Sequence, residues 1–189
     1  MDIPWTRLLY TMPRLEITGY REVVMAKVII LSPTFPKYHQ RAGQRTHFIE
    51  KFVRSFKWIE SLKGKGVHTD YPEFDYDLAN SWNLAPKFHT IRAGHRWREG
   101  QWFSPRMWSA SPYRSKQRII CIDLQIVKIY RFEIKSNGLY LDGKKIGLTA
   151  QEISMNDGFE RYIDMLDWIQ YPKDFEGQIL CWVDPKYNY

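Results

Sequence analysis

The pattern of hydrophobic and polar positions predicts two amphipathic helices. After Thr46, which can cap a helix, apolar residues recur at steps of three and four over Phe48–Leu62, and this spacing gives a helix one apolar face. Lys51 falls on the opposite, polar face and is predicted to be solvated. The second helix is predicted to open at the capping-box pattern DGFE of residues 157–160, with Asp157 as a candidate N-cap, and to end before a proline.

Segments that predict strands surround these helices. Residues 25–32 form a β-branched run, and residues 118–135 are rich in Ile, Val, Tyr and Phe over a length that requires a bend. Turn signals at 137–138 and 142–143 predict a meander of short antiparallel strands, and residues 178–183 predict a last strand. This order predicts an α+β domain built on a small, strongly bent antiparallel or mixed β-barrel with two or three flanking helices.

The length and composition predict one domain with one main core. Residues 1–24 have no sustained hydrophobic period and are predicted to be an appendage to a domain over residues 25–189. We expect a soluble, cytoplasmic protein with no membrane partner, because no apolar run of about 18 residues and no cleavage-signal pattern is present. Cys121 and Cys181 sit in apolar runs and are predicted to be buried thiols. No metal and no cofactor is predicted.

Positive charge is concentrated in one segment. Between Lys87 and Arg118 there are eight Lys or Arg residues and one acid, Glu99, a formal +7 that equals the net charge of the whole protein. Six aromatic residues are interleaved with these cations, and cations beside rings are what a single-stranded nucleic acid requires of its binding surface. The residues predicted to bind nucleic acid are Arg92, Arg96, Trp97, Arg98, Arg106, Arg114, Lys116, Arg118 and His89.

The start of this segment carries a short motif, Lys87-x-x-Thr90-Ile91-Arg92, which lies after an amphipathic helix and before a strand meander. In this position the motif resembles that of the ASCH domain family, whose fold is a PUA-like β-barrel associated with RNA. The TFPKYH segment of residues 34–39 is similar to one in uncharacterised ASCH-like proteins of bacteria and their phages. The resemblance runs from about residue 25 to residue 183, and it implies the PUA-like form of the predicted barrel.

The resemblance also implies candidate chemistry. Some ASCH proteins are amidohydrolases that remove the acetyl group of N(4)-acetylcytidine with the motif's lysine and threonine and a downstream glutamate, and another member is similar to a single-strand ribonuclease. Lys87 and Thr90 match that lysine and threonine directly. No glutamate stands at the expected place, so Asp157 is the first candidate for the carboxylate and Glu152 the second. A threonine hydroxyl becomes nucleophilic when a lysine of lowered pKa takes its proton, and Arg92 can stabilise an oxyanion.

Three functions follow as expectations. The first is an RNA- or nucleotide-binding domain whose partner is single-stranded RNA or a modified nucleoside, the second is an N(4)-acetylcytidine amidohydrolase, and the third is a single-strand ribonuclease. Structural readings of the same residues stay open. Lys87 can be a solvated cation, Thr90 can bond only within its turn, Asp157 can be only an N-cap, and the tryptophans can fill a barrel core. The oligomeric state is not predicted.

Overall fold

The computed structural model describes residues 26–59, 74–81 and 83–189. The predicted appendage and the end of the first predicted helix lie outside these ranges. The described strands are β1 Lys27–Ile30, β2 His89–Ala93, β3 Trp102–Trp108, β4 Gln117–Ile119, β5 Leu124–Gln125, β6 Lys128–Lys135, β7 Gly138–Leu141, β8 Lys144–Ile146 and β9 Phe175–Cys181. The described α-helices are α1 Phe48–Arg54, which continues into a 3-10 turn over Ser55–Trp58, α2 Tyr76–Asn80, α3 Thr149–Asn156 and α4 Tyr162–Trp168.

The strands form two sheets. The first sheet has the order β1-β3-β4, with β5 also paired to β3, and only its β1–β3 pair is parallel. The second sheet has the order β2-β9-β6-β7-β8 and is antiparallel throughout. The predicted α+β class and the predicted meander, now β6-β7-β8, are confirmed. No closed barrel is found in the described residues, because β1 and β2 remain edge strands of different sheets.

Two hydrophobic clusters hold the sheets and helices together. One cluster contains side chains of α1 and of the first sheet, such as Ile29 and Phe103. The other contains side chains of the second sheet and of α3 and α4, such as Ile153. Strand β9 contributes to both, with Ile179 in one cluster and Leu180 in the other, because successive strand residues point to opposite faces. The second sheet therefore lies between two apolar layers.

The connection from α3 to α4 differs from the prediction. Asp157 is the C-cap of α3, and α4 begins five residues later with Arg161 as its N-cap. The predicted N-cap role of Asp157 is therefore wrong. Its carboxylate is not free to cap the next helix, because it accepts hydrogen bonds from the Lys87 amine and the Ile91 backbone N–H. Gly158 follows with φ +90, a left-handed conformation that turns the chain away from α3.

Candidate functional site

A narrow cleft lies between the free edge of β1 and the free edge of β2. Lys87, Thr90, Arg92 and Asp157 all line it, and Phe48 forms part of its apolar wall. Three of the four residues predicted from the sequence to be catalytic are thus brought together. The fourth, the alternative carboxylate Glu152, is exposed on α3 and does not line the cleft.

Backbone contacts fix the start of β2 against two helix ends. The Lys87 N–H donates to the Lys51 carbonyl at 2.9 Å, and the Phe88 N–H donates to the Asn156 carbonyl at 2.8 Å. The Lys51 carbonyl belongs to α1, and Asn156 is the last residue of α3. Lys87 therefore enters the cleft beside Asp157, the residue that ends α3.

Lys87 and Asp157 form a buried ion pair. Lys87 is 1% exposed and Asp157 is 5% exposed. The Lys87 Nζ donates both to the Asp157 carboxylate and to the Asp157 main-chain oxygen, and it lies 4.6 Å from the centroid of the Phe48 ring. The amine thus has two oxygen partners and an aromatic neighbour in place of water.

Burial shifts the acidity of both partners. Loss of water around Lys87 lowers its pKa to about 8, although the attraction of Asp157 opposes this, and the positive charges of Arg92 and Lys51 lower it further. Burial raises the pKa of Asp157, against the opposing attraction of Lys87 and Arg92. Both changes reflect the high cost of charge in an apolar site. As a result, the Lys87 amine can be uncharged within about one pH unit of neutrality.

Arg92 joins the two sheets at the cleft. Its guanidinium donates from Nη2 to the Ile30 carbonyl of β1 at 2.6 Å and from Nη1 to the Ile91 carbonyl at 3.3 Å. Side chains alternate along β2, so Thr90 and Arg92 share one face of the strand while His89 and Ile91 share the other. Thr90 and Arg92 therefore share one face of β2, and both line the cleft.

His89 lies behind the ion pair and not at the surface. It is fully buried, its Nε2 is 2.5 Å from the Tyr187 hydroxyl, and the Asn156 side-chain amide donates to that hydroxyl at 3.1 Å. Its Nδ1 lies 3.9 Å from the Asp157 carboxylate and has no hydrogen-bond partner among the described residues. Burial and the charge of Lys87 lower the pKa of His89 well below 6.5. The prediction that His89 contacts nucleic acid is incompatible with this burial.

The sequence did not identify Lys51 as part of this site. It was predicted to be solvated, yet it is 4% exposed, and its Nζ donates to the Gly158 carbonyl at 2.8 Å and lies 3.6 Å from Glu160. Burial lowers the pKa of Lys51. A helical period marks Lys51 as opposite the apolar stripe, but it cannot show that the turn after α3 covers that side of α1.

A wider groove continues from the cleft. Ile91, Arg92, Trp168 and Ile169 line both depressions. The cleft has a cavity volume of about 40 Å³, roughly that of one or two water molecules, whereas the groove has about 270 Å³. The deep part thus accepts only a small chemical group, and the outer part has room for a larger one.

The other predicted nucleic-acid contacts lie outside the cleft. Arg96, Arg98, Arg114 and Lys116 are exposed in loops on either side of β3. Three further residues are half-buried, and these are Trp97, Arg106 and Arg118. The Lys27 amine lies 5.2 Å from the Trp97 ring centroid. Arg92 is therefore the one residue of that predicted set, apart from the buried His89, that belongs to the site around Lys87.

The described residues contain neither a metal-binding cluster nor a membrane-spanning helix. No group of three or more His, Cys, Asp or Glu side chains in residues 26–59, 74–81 and 83–189 is placed to hold a metal ion. Within the same ranges, no helix has the length and apolar character needed to cross a membrane.

Comparisons of the chain with protein-family models, with curated proteins and with solved structures found no match. The resemblance to the ASCH family is therefore a hypothesis that rests on the motif of residues 87–92 and on the segment of residues 34–39.

Proposed function

We propose that this protein is an amidohydrolase that removes a small acyl group from a modified nucleoside of the N(4)-acetylcytidine type. The observation that carries the proposal is the buried Lys87 amine, whose pKa is lowered to about 8, in one narrow cleft with Thr90 and Asp157. A lysine that is uncharged near neutral pH can act as a general base, and perturbed groups in a cleft are typical of active sites. The ASCH-like motif supports the same assignment.

Each residue takes a defined role in the proposed reaction. The uncharged Lys87 amine accepts the proton of the Thr90 hydroxyl while the hydroxyl oxygen bonds to the acyl carbon. The Arg92 guanidinium stabilises the negative oxygen of the tetrahedral intermediate. The bond from the acyl carbon to the nucleobase amine then breaks, and that nitrogen takes the proton from the Lys87 ammonium. Water next attacks the Thr90 ester while Lys87 accepts its proton. The bond from the acyl carbon to the Thr90 oxygen then breaks, that oxygen takes the proton back from the Lys87 ammonium, and the acid is released.

Asp157 holds the amine in place in this scheme. Its carboxylate accepts hydrogen bonds from Lys87 and from the Ile91 N–H, so the amine is fixed at the end of β2. Burial raises the pKa of Asp157, and a carboxyl group of raised pKa can share a proton with Lys87 during turnover. Glu152 has no comparable contact with the cleft and takes no part.

The shape of the site supports a small acyl group on a larger planar amine. A cavity of about 40 Å³ has room for an acetyl group, which occupies little more than one or two waters. The groove of about 270 Å³ beside Trp168 can hold a pyrimidine ring, with the indole and the Arg92 guanidinium as its neighbours. Acyl chains longer than acetyl or propionyl are expected to be poor substrates.

The test is release of acetate from N(4)-acetylcytidine by the purified protein. Thr90→Val keeps the side-chain shape and removes the hydroxyl, and Lys87→Met removes the amine. Each is expected to lower kcat/KM by at least about 100-fold, the scale of losing a nucleophile or its base. Glu152→Gln decides between the two candidate carboxylates and is expected to retain activity within about twofold of wild type. Absence of turnover by wild type, or full activity of Thr90→Val, contradicts the proposal.

Binding of a modified nucleoside without turnover is the second candidate, because the guanidinium of Arg92 and the ring of Trp168 border one open groove. Equilibrium dialysis with N(4)-acetylcytidine separates the two functions. A hydrolase with Thr90→Val still binds the nucleoside but leaves it intact. If the protein only binds the nucleoside, the wild type also leaves the bound nucleoside intact.

A further inference from the structure

The first sheet has two unlike faces. Ile29, Phe103 and Met107 point into the hydrophobic cluster shared with α1. The register pairs Val28 with Ser104 and Arg106 with Ile119, so these side chains lie together on the opposite side. We call that side the outer face, and its residues are Val28, Trp102, Ser104, Arg106, Trp108, Gln117 and Ile119.

Aromatic and apolar side chains at the margins of the outer face are exposed to solvent, while Ser104 between them is buried. Trp102 is 43% exposed and Ile119 is 51% exposed. Tyr113, in the turn between β3 and β4, is 90% exposed, and its ring centroid lies 5.3 Å from that of Trp108. Exposed apolar side chains that are contiguous on one sheet face mark an interaction surface more often than scattered ones do. Flat rings in such a surface are suited to stacking on bases.

The charge around the outer face is positive. Residues 96–119 contain six Lys or Arg residues and one acid, Glu99, and the carboxylate of Glu99 lies 3.1 Å from the Lys128 amine. Arg106 lies on the face itself, with its Nε donating to the Ser104 hydroxyl at 3.2 Å. Arg114 and Lys116 are exposed in the adjoining turn. This charge is complementary to phosphates, and the rings between the cations favour a nucleic-acid strand over an acidic peptide.

The outer face also leads to the cleft. Ile30 is the register partner of Arg106 and lines the cleft, and neighbouring strands lie about 4.8 Å apart. The Ile30 carbonyl accepts a hydrogen bond from Arg92. A chain that crosses β3 toward β1 therefore arrives at the mouth of the cleft.

We infer that the outer face binds single-stranded nucleic acid and delivers one of its nucleotides to the cleft. The first part, binding of nucleic acid by the outer face, does not depend on the proposed hydrolysis. The second part, that the acylated base lies within a strand and not in a free nucleoside, rests on the proposed function. Trp102, Trp108 and Tyr113 stack on bases, while Arg106, Arg114 and Lys116 contact phosphates.

Fluorescence anisotropy with a labelled, unmodified 12-nucleotide RNA tests the surface. The double variant Arg114→Glu/Lys116→Glu changes exposed turn residues and is expected to weaken binding at least about tenfold. It is also expected to reduce the slope of log K against log salt by about 1.4, because two phosphate contacts of a single strand are lost. Trp102→Ala is expected to weaken binding about tenfold through one lost stacking contact.

A matched control makes the same change of charge elsewhere. Lys144→Glu/Lys145→Glu alters two exposed lysines of β8 in the second sheet and is expected to leave binding within about twofold of wild type. An equal loss in this control, equal competition by polyglutamate, or no binding of wild type to the single strand overturns the inference. Turnover of free N(4)-acetylcytidine separates the two proposals, because Trp102→Ala is expected to retain it. If the wild type binds RNA but does not deacylate N(4)-acetylcytidine, the proposed hydrolase function is refuted and the proposed binding surface is supported.

Discussion

Replacing Asp157 by Asn is expected to destabilise the protein in a way that depends on pH. The change keeps the size of the side chain and removes the charge that faces the Lys87 amine. In the wild type the pKa of Lys87 is lowered from 10.5 to about 8. This shift means that keeping the buried amine charged below pH 8 destabilises the native state by about 3 kcal/mol. Without the carboxylate the native pKa of Lys87 falls further.

The sign of the effect follows from proton binding. Between the native pKa of Lys87 and 10.5, the unfolded chain binds a proton that the native state lacks, so raising the pH stabilises the native state. In Asp157→Asn this interval begins at a lower pH than in the wild type. The free-energy difference between the two proteins is therefore largest where Asp157 is ionised and Lys87 is charged in the wild type, and it shrinks as the pH rises to about 8. We expect about 2–4 kcal/mol at pH 6 and about 1 kcal/mol or less at pH 9.

Urea denaturation followed by circular dichroism at pH 6, 7, 8 and 9 measures this difference. Asp123→Asn, the same substitution at an exposed position, is the control and is expected to stay within about 0.5 kcal/mol of wild type at every pH. An equal loss for Asp157→Asn at pH 6 and pH 9 refutes the role of charge. No loss at pH 6 refutes the buried pair itself.

Three other outcomes check separate parts of the structure. Gly158→Ala is expected to lower the free energy of unfolding in urea by about 1–3 kcal/mol, because φ is +90 and the added Cβ meets the Phe48 side chain at 3.1 Å. Gly143→Ala is the control, since Gly143 has φ +81 but open space around it, and it is expected to lower the free energy of unfolding by only about 1 kcal/mol. If the protein deacylates nucleosides, log kcat/KM is expected to rise with pH and level off above about 8, as Lys87 loses its proton, and a flat profile from pH 6 to 9 argues against Lys87 as base. Cys121, which was predicted to be buried, is only half-buried, whereas Cys181 is buried. Partial loss of water still raises the pKa of the Cys121 thiol to about 12, so alkylation by iodoacetamide at pH 8 is expected to be at least about 100-fold slower than in urea, as peptide mass mapping can measure.

Local sequence signals predicted much of the second sheet. The turn pair at 142–143 joins β7 to β8 as predicted, whereas the loop from β6 to β7 is residues 136–137, one position earlier than the predicted pair, because Gly138 already belongs to β7. The long apolar run of residues 118–135 was expected to bend, and it divides into β4, β5 and β6. The separation of the strands into two sheets was not predictable, since it depends on which edges stay unpaired in three dimensions.

The site was predictable only in part, for a similar reason. The pairing of Lys87 with Thr90 and the choice of Asp157 over Glu152 both came from a resemblance. The capping pattern around Asp157 led to the wrong prediction of an N-cap, because a carboxylate before a glycine can end one helix as well as begin another. The burial of His89 was signalled locally, because His89 lies two residues before the apolar Ile91 and on the same side of β2. The burial of Lys51 depends on a turn more than 100 residues away.

The Arg92 guanidinium spans the gap between β1 and β2, so the shape of the cleft depends on how the two sheets pack against each other. The amine and its carboxylate belong to one half, and the opposite wall, ending at Ile30, belongs to the other. The relative position of these walls therefore depends on how the two sheets pack against each other. If the proposed hydrolysis is correct, substitutions at the contact between the sheets, far from Lys87, are expected to change its rate without unfolding the protein.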